Sequence, residues 1–266
     1  MAKLLYLAKR GRSDILLAVS FLTTRVSCST DQDWLKLRRI LQYLNGTPAL
    51  FLTLGADSLT KLNTWVDAAY AVHQDMRSHT GAAISMGTGA FTCKSTKQKL
   101  NTKSSTEAEV VGASDFLPTT IWARMFLGSQ GYDITDNIFH QDNQSAMLLE
   151  RNGRSSSGQK TRHIDIRYFF MKDRIVTEHI NVVYCPTASM LADFFTKPLQ
   201  GCLFHDFRSV ILGYSHISSL LKYTPKSVLL EERVEPQGQS SPDLLDSHTN
   251  TQNVRPSYAT AAKRAL

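Results

Sequence analysis

Cysteine is scarce in this 266-residue chain: only Cys28, Cys93, Cys185 and Cys202 occur, and no two form a CxxC pair. That scatter excludes a zinc finger and a secreted disulfide framework, and it makes a reducing, intracellular setting, cytoplasm or nucleus, the expectation. Long apolar runs are missing too. None approaches the roughly 18 residues of a membrane-spanning helix, so no membrane partner is expected. The opening "MAKLLYLAKRGR" has too short an apolar part for a secretory signal, and no small-residue cleavage site. Internal repeats are absent, and the first 61 residues hold no paired aspartates of the kind a polymerase palm uses. Acidic residues fall short of basic ones, 23 against 30, leaving a net charge of +7 that favours polyanionic partners.

What is present divides into three zones. Residues 1–61 read as helical, with apolar-periodic stretches "DILLAVSFLTTRV" and "DWLKLRRILQYL", Asp33 at an N-cap position and Asn45-Gly46 as a stop. "PALFLTL" then reads as a short strand. Residues 62–212 alternate strand and helix signals. "LNTWVDAAYA", "GAAISM" and "GAFTCKSTKQ" are strands. A helix follows from Ser104, with a kink or break expected at Pro118. "NIFHQD" is a strand leading into the helical "NQSAMLLERNG". "TRHIDIRYFFMKDRIV" is an amphipathic helix, "INVVYCP" a last strand, and "ASMLADFFTKPL" a last helix. This order of hairpins and crossovers predicts an α/β fold with a mixed sheet. Residues 213–266, rich in Ser, Thr, Asn, Gln and Pro towards their end, read as a disordered tail.

Four acids stand at telling places in the α/β zone. Asp67 lies inside an apolar strand, where aspartate is disfavoured. Asp142 marks a strand-to-helix junction, Asp193 lies between "LA" and "FF", and Glu109 falls in the second turn of the helix after Ser104. A lone strand-end aspartate is more often a turn or N-cap residue. Set out as strand, helix, strand, helix, the four are positioned to converge. Their mutual repulsion would then be offset by oxygen-ligated divalent cations, a pair of which suits phosphodiester hydrolysis. Within "NTKSSTEAE", Ser104 and Glu107 form one capping box and Thr106 and Glu109 fit the spacing of another; the first is taken as the cap.

These residues also carry a resemblance. "WVDAAYA", "RSHTGAAISMGTGAFTCKSTKQKLNTKSSTEAEVVGASD", "HQDNQSAMLLERNG", "KTRHIDIRYFFMKDRI" and "YCPTASMLADFFTKPL" resemble the ribonuclease H domain of copia-type LTR retrotransposon polyproteins, over about residues 62–212. "RSDILLAVSFLTTRVSCSTDQDWLKLRRILQYLNGT" resembles the adjoining end of the reverse transcriptase, with Ser13 where that family usually has Pro. The resemblance implies an RNase H-like fold: a five-stranded mixed sheet flanked by helices, here with an N-terminal helical segment. It implies hydrolysis of the RNA strand of RNA–DNA hybrids with two Mg²⁺ ions, or Mn²⁺ in their place. Matched motif by motif, the four acids of that family fall on Asp67, Glu109, Asp142 and Asp193. Asp67 is then expected to bridge both ions, Glu109 and Asp142 to face one, and Asp193 the other.

Hybrid recognition needs contacts to 2′-hydroxyls and phosphates. Lys97, Lys99, Asn101, Lys103, Ser104 and Ser105 beside Glu109, and Asn143 and Gln144 beside Asp142, are the expected nucleic-acid contacts; each also reads as a solvated or helix-starting residue. Lys160, Arg162, Arg167, Lys172 and Arg174 lie along one helix whose polar face reads chiefly as solvated. The family's histidine shortly before the fourth acid has no counterpart in "YCPTASMLAD". The reverse-transcriptase part of such a polyprotein is the expected protein partner. A catalytically silent nucleic-acid-binding remnant is the alternative reading, and another nuclease or transposase on the same fold a further one.

Overall fold

The computed structural model of the protein describes residues 1–152 and 162–223. The chain enters through three helices, α1 (Ala2–Arg10), α2 (Leu16–Thr23) and α3 (Asp31–Gly46). Asp33 is not the N-cap of α3. Thr30 is, and Asp33 stands three residues into the helix, where the two side chains and backbone amides satisfy one another reciprocally. "PALFLTL" forms no strand. Its backbone is instead held by the end of the last helix, Thr53 N donating to the Leu212 carbonyl at 2.9 Å and Phe51 N to the Tyr214 hydroxyl at 2.9 Å. A two-residue strand β1 (Gly55–Ala56) follows and pairs with the equally short β4 (Gly87–Thr88).

The main sheet is five-stranded and mixed, as the motif order predicts. Its strands are β2 (Lys61–Ala69), β3 (His79–Ser85), β5 (Ala90–Lys97), β6 (Asp136–Gln141) and β7 (Ile180–Tyr184), in the order β5-β3-β2-β6-β7. The hairpin-connected strands β2, β3 and β5 pair antiparallel, whereas β6 and β7, each reached through helices, run parallel to β2. Helix α4 (Ser105–Ser129) links β5 to β6. Helices α5 (Gln144–Asn152) and α6 (Arg162–Thr177) follow β6, and α7 (Gly201–Leu212) comes late in the chain. No described helix is long and apolar enough to cross a membrane.

Both faces of the sheet are covered. On one, Leu62, Val66, Ala82 and Ile84 pack with Ala113, Phe116 and Leu117 of α4 and Met171 of α6. On the other, Trp65 and Ala83 pack with Ile15, Leu16, Val19 and Leu22 from the N-terminal segment, and with Phe195 and Phe207. This is the two-residue side-chain alternation of a strand buried on both sides. Packing of Phe116, Leu117 and Thr120 carries α4 unbroken through Pro118, so the expected break is absent.

Two more expectations are corrected near the end. "ASMLADFFTKPL" is not an α-helix: Leu191–Phe195 form a five-residue 3-10 turn, buried at every position. Burial at all five positions leaves no solvent face, and Pro198 stops the chain from continuing as a helix. Nor does order fade at residue 213. Gly213, left-handed at φ +80°, closes α7, and a 3-10 segment runs over Ile217–Tyr223 with Leu220 buried. Residues 224–266, the rest of the expected tail, lie outside the described residues, as does Lys160.

Candidate functional site

Parallel pairing of β2 with β6 sets Trp65 opposite His140, and Asp67 and Asp142 stand two residues further along their strands. Both acids thus arrive at the same end of the sheet, beyond the carboxyl end of β6, where α/β sheets hold their ligands. Glu109 reaches them from α4. Ser104 caps that helix, accepting the Glu107 N–H at 3.2 Å, while Glu107 accepts the Lys103 N–H at 2.7 Å. Five residues past the cap, Glu109 faces inward. Gly112 lets the helix lie close to the sheet, since a Cβ there would stand 3.2 Å from the Thr80 hydroxyl.

One oxygen each from Asp67, Glu109 and Asp142 lie within 4.8 Å of one another, the one such His/Cys/Asp/Glu group among the described residues. Asp67 and Glu109 are buried, at 2% and 5% exposure, and Asp142 is half-buried. Glu109 Oε2 is buried without a hydrogen-bond partner. Burial, followed by the charges of Asp67 and Asp142, pushes the Glu109 carboxyl well above the usual range. The fully buried Glu150 adds to the same field. Burial also raises Asp67, against the pull of Lys197 and a hydrogen bond from Thr196. Such a set is short of positive charge, and its oxygen-only donors match a hard divalent cation.

Asp193 comes up against Asp67 from the 3-10 turn, which packs directly over β3. Gly81, opposite Asp67 in the sheet, makes that approach feasible: a Cβ there would lie 2.7 Å from the Ala192 carbonyl oxygen and 2.8 Å from Phe195 Cβ. Asp193 is 5% exposed, and burial with the charge of Asp67 pushes its carboxyl up to about 7. Lys197 Nζ stands 2.8 Å from Asp193 Oδ1 and 3.9 Å from Asp67 Oδ1. The Thr196 hydroxyl donates to Asp67 Oδ2, and the Thr187 hydroxyl to Asp142 Oδ2 at 3.0 Å.

Sequence reasoning missed Thr196 and Lys197. The signal for the lysine was there: Asp193 and Lys197 are four residues apart, a spacing at which opposite charges on a helical turn meet. It also missed Gln98, a buried residue inside a lysine-rich run. Its amide donates to the Thr80 hydroxyl at 3.0 Å and the Ala108 carbonyl at 2.9 Å, tying the end of β5 to the turn that carries Glu109.

The expected nucleic-acid contacts fall into two groups. Lys99, Asn101, Lys103, Ser104 and Ser105 are exposed on the segment leading into α4, and Gln144 is exposed at the start of α5. Three of the set have local work. Lys97 pairs with Asp75 at 2.6 Å, the Ser104 side chain caps α4, and Asn143 Oδ1 accepts the Ala146 N–H at 3.0 Å to cap α5. On α6, Arg167 pairs with Asp115, and Arg174 with Asp173 at 3.5 Å.

A hydrogen-bonded line supports the 3-10 turn from behind. His73 Nε2 meets His79 Nδ1 at 3.0 Å, His79 Nε2 meets Ser95 Oγ at 2.8 Å, and Ser95 Oγ donates to the Phe195 carbonyl at 2.8 Å. Because Ser95 donates onward, it accepts from His79, which leaves His79 Nδ1 to accept from His73. Burial pushes the His79 imidazole down to about 4, keeping it neutral for this role. A cleft of about 1100 Å³ opens between the turn and helices α2 and α3, walled by Phe21, Ile40, His73, His79, Phe204 and Lys197.

Known proteins are similar to this chain in sequence. The chain is 30% identical over 198 residues to the "Retrovirus-related Pol polyprotein from transposon TNT 1-94" of Nicotiana tabacum, a match covering 74% of this chain and 15% of that protein. It is 32% identical over 202 residues to the "Retrovirus-related Pol polyprotein from transposon RE1" of Arabidopsis thaliana, covering 75% and 14% respectively. The chain therefore spans about one-seventh of the length of these curated relatives. No protein-family model matches it. Among solved structures, LC11-RNase H1 from a compost metagenome aligns at a TM-score of 0.38 and 13% identity, over 51% of this chain and 92% of that one.

Proposed function

From its homology to a segment of retrovirus-related Pol polyproteins of transposons, we propose that the chain carries a ribonuclease H-like domain over residues 62–212, which hydrolyses the RNA strand of RNA–DNA hybrids. The single observation that carries this reading is the convergence of Asp67, Glu109 and Asp142 within 4.8 Å. The buried, unpartnered Glu109 oxygen at that point fits a divalent cation. Asp193, against Asp67, is the fourth acid of the proposed set.

Asp67, Glu109 and Asp142 would hold one Mg²⁺, with Asp67 and Asp193 facing the other. Bound Mg²⁺ supplies an acidified water at the scissile phosphate and charge stabilisation of the departing 3′ oxygen. The chain's own residues do the placing. Thr196 and Thr187 fix the carboxylate planes of Asp67 and Asp142 through their hydroxyls. Ala68 holds Glu109 through a backbone hydrogen bond. The exposed Lys99, Asn101, Lys103 and Ser105, on the segment leading into the helix of Glu109, and Gln144, two residues past Asp142, are suited to phosphate and 2′-hydroxyl contacts. In the parent polyprotein the N-terminal helices would connect this domain to a reverse transcriptase.

The test is cleavage of matched RNA–DNA hybrid, double-stranded DNA and single-stranded RNA, with Mg²⁺ or EDTA. Only the RNA of the hybrid should be cut, only with Mg²⁺, and Asp142→Asn should lower the rate by at least 100-fold, the scale of a lost metal-positioning group. Binding of hybrid without any cutting would mark the chain as a catalytically silent remnant.

A further inference from the structure

Three of the four acids converge on one another, but the fourth converges on a lysine. Asp193 lies outside the Asp67–Glu109–Asp142 group but against Asp67, and its Oδ1 takes the Lys197 ammonium at 2.8 Å. The same ammonium lies 3.9 Å from Asp67 Oδ1, so it bridges the two carboxylates that the proposed function assigns to a second divalent ion. Its backbone is anchored there: Lys197 N donates to the Asp193 carbonyl at 2.8 Å, and Thr196, the preceding residue, is bonded to Asp67. The side chain is 39% exposed, so its outer end has room to leave.

We propose that Lys197 is a built-in counter-cation for the Asp67–Asp193 half of the site, a positioning residue that holds the place of the second divalent ion until substrate arrives. This deepens the proposed function and rests on its reading of the acids as a metal site. Asp67 and Asp193 would hold that ion between them, where the ammonium now stands. Two cations that close together repel strongly where water is largely excluded, so ion and ammonium exclude one another. Of the Asp67–Glu109–Asp142 group, Lys197 reaches only Asp67, at 3.9 Å, and no described ion pair falls on Glu109 or Asp142, so an ion on that side displaces less. A substrate phosphate gives the displaced ammonium a new anionic partner, which makes the exchange feasible when nucleic acid is bound. This arrangement would let the free chain tolerate four clustered acids with only one divalent ion.

The consequence is a stoichiometry. Mn²⁺ is titrated into the full chain without nucleic acid, free ion being counted by electron paramagnetic resonance. The wild type should bind one ion, with a second at least tenfold weaker. Lys197→Met should bind two of comparable affinity, and Lys197→Arg, which restores the charge, should return to one. A purely structural ion pair would lower the melting temperature of Lys197→Met and leave the ion count unchanged, which overturns the proposal. If Lys197→Met does not fold, the wild-type titration decides, because two ions of equal affinity overturn the proposal without it. Failure of wild type and variants alike to bind any Mn²⁺ overturns the metal-site reading together with this one. One ion on every form overturns this one alone.

Discussion

Glu107 accepts the Lys103 N–H from the first turn of α4, while Glu109, two positions on, is turned beneath the sheet with one oxygen unpartnered. The same residue type at neighbouring positions therefore responds to the same substitution in opposite ways. Glu107→Gln keeps an amide oxygen for the Lys103 N–H and loses only charge near the helix N-terminus, worth about 0.3–1 kcal/mol. Thermal unfolding should show a small fall in melting temperature, with hybrid cleavage unchanged. Glu109→Gln removes a buried charge that its neighbours already disfavour, so in the absence of metal the protein should melt at the same temperature or higher. Its cleavage rate should drop by at least 100-fold. A stable Glu107→Gln that has lost activity, beside an active Glu109→Gln, would show the register of the site to be wrong.

At the scale of elements, the site depends on how closely the 3-10 turn Leu191–Phe195 lies against β3. Gly81 is at that contact, and its backbone is ordinary strand, so the reason for glycine is space rather than conformation. A methyl group there meets the Ala192 carbonyl and Phe195 Cβ below 3 Å and must push the turn away. Overpacking of this kind costs about 1–3 kcal/mol. Gly81→Ala should lower stability by that order. It should also cut hybrid cleavage disproportionately, because Asp193, Thr196 and Lys197 all travel with the turn. Denaturant unfolding and cleavage assayed on the same preparation would check both. Unchanged cleavage in a destabilised variant would mean that the turn's position is immaterial.

This element also marks where the sequence stopped being readable. Asp67, Glu109 and Asp142 were legible because each sits in a regular element whose period or boundary could be read locally. The mixed character of the sheet followed from alternating hairpin and crossover signals. Asp193, expected in an α-helix, lies in a 3-10 turn, since five consecutive buried residues carry no period from which the one could be told from the other. Gln98 and Thr102 stand in the lysine-rich stretch between β5 and α4, yet both are buried. Their burial is set by contacts with Thr80 in β3 and Ser78 just before it, and no local pattern encodes such a contact.

At the scale of the whole molecule, the question is whether residues 1–61 form a separable piece. Composition divides them from the α/β zone, but packing does not. Ile15, Leu16, Val19, Leu22 and Ile40 share one core with Trp65, Ala83, Phe195 and Phe207, and the Ser20 hydroxyl donates to the Ser95 carbonyl at 2.7 Å. Fully burying such a side chain is worth about 1.5–3 kcal/mol. Five of them therefore amount to roughly the whole net stability of a domain, about 5–15 kcal/mol. Without this segment one face of the sheet, including the side that carries the 3-10 turn and Asp193, would be open to water. A chain shortened to residues 62–223 should thus lack a cooperative unfolding transition, bind a hydrophobic dye and cut no hybrid. Adding residues 1–61 as a separate peptide should restore part of the activity if the interface alone was missing. A shortened chain that melts cooperatively and cleaves hybrid at the full rate would show that the N-terminal helices are a passenger, and that Phe195 and its neighbours are held by the sheet alone.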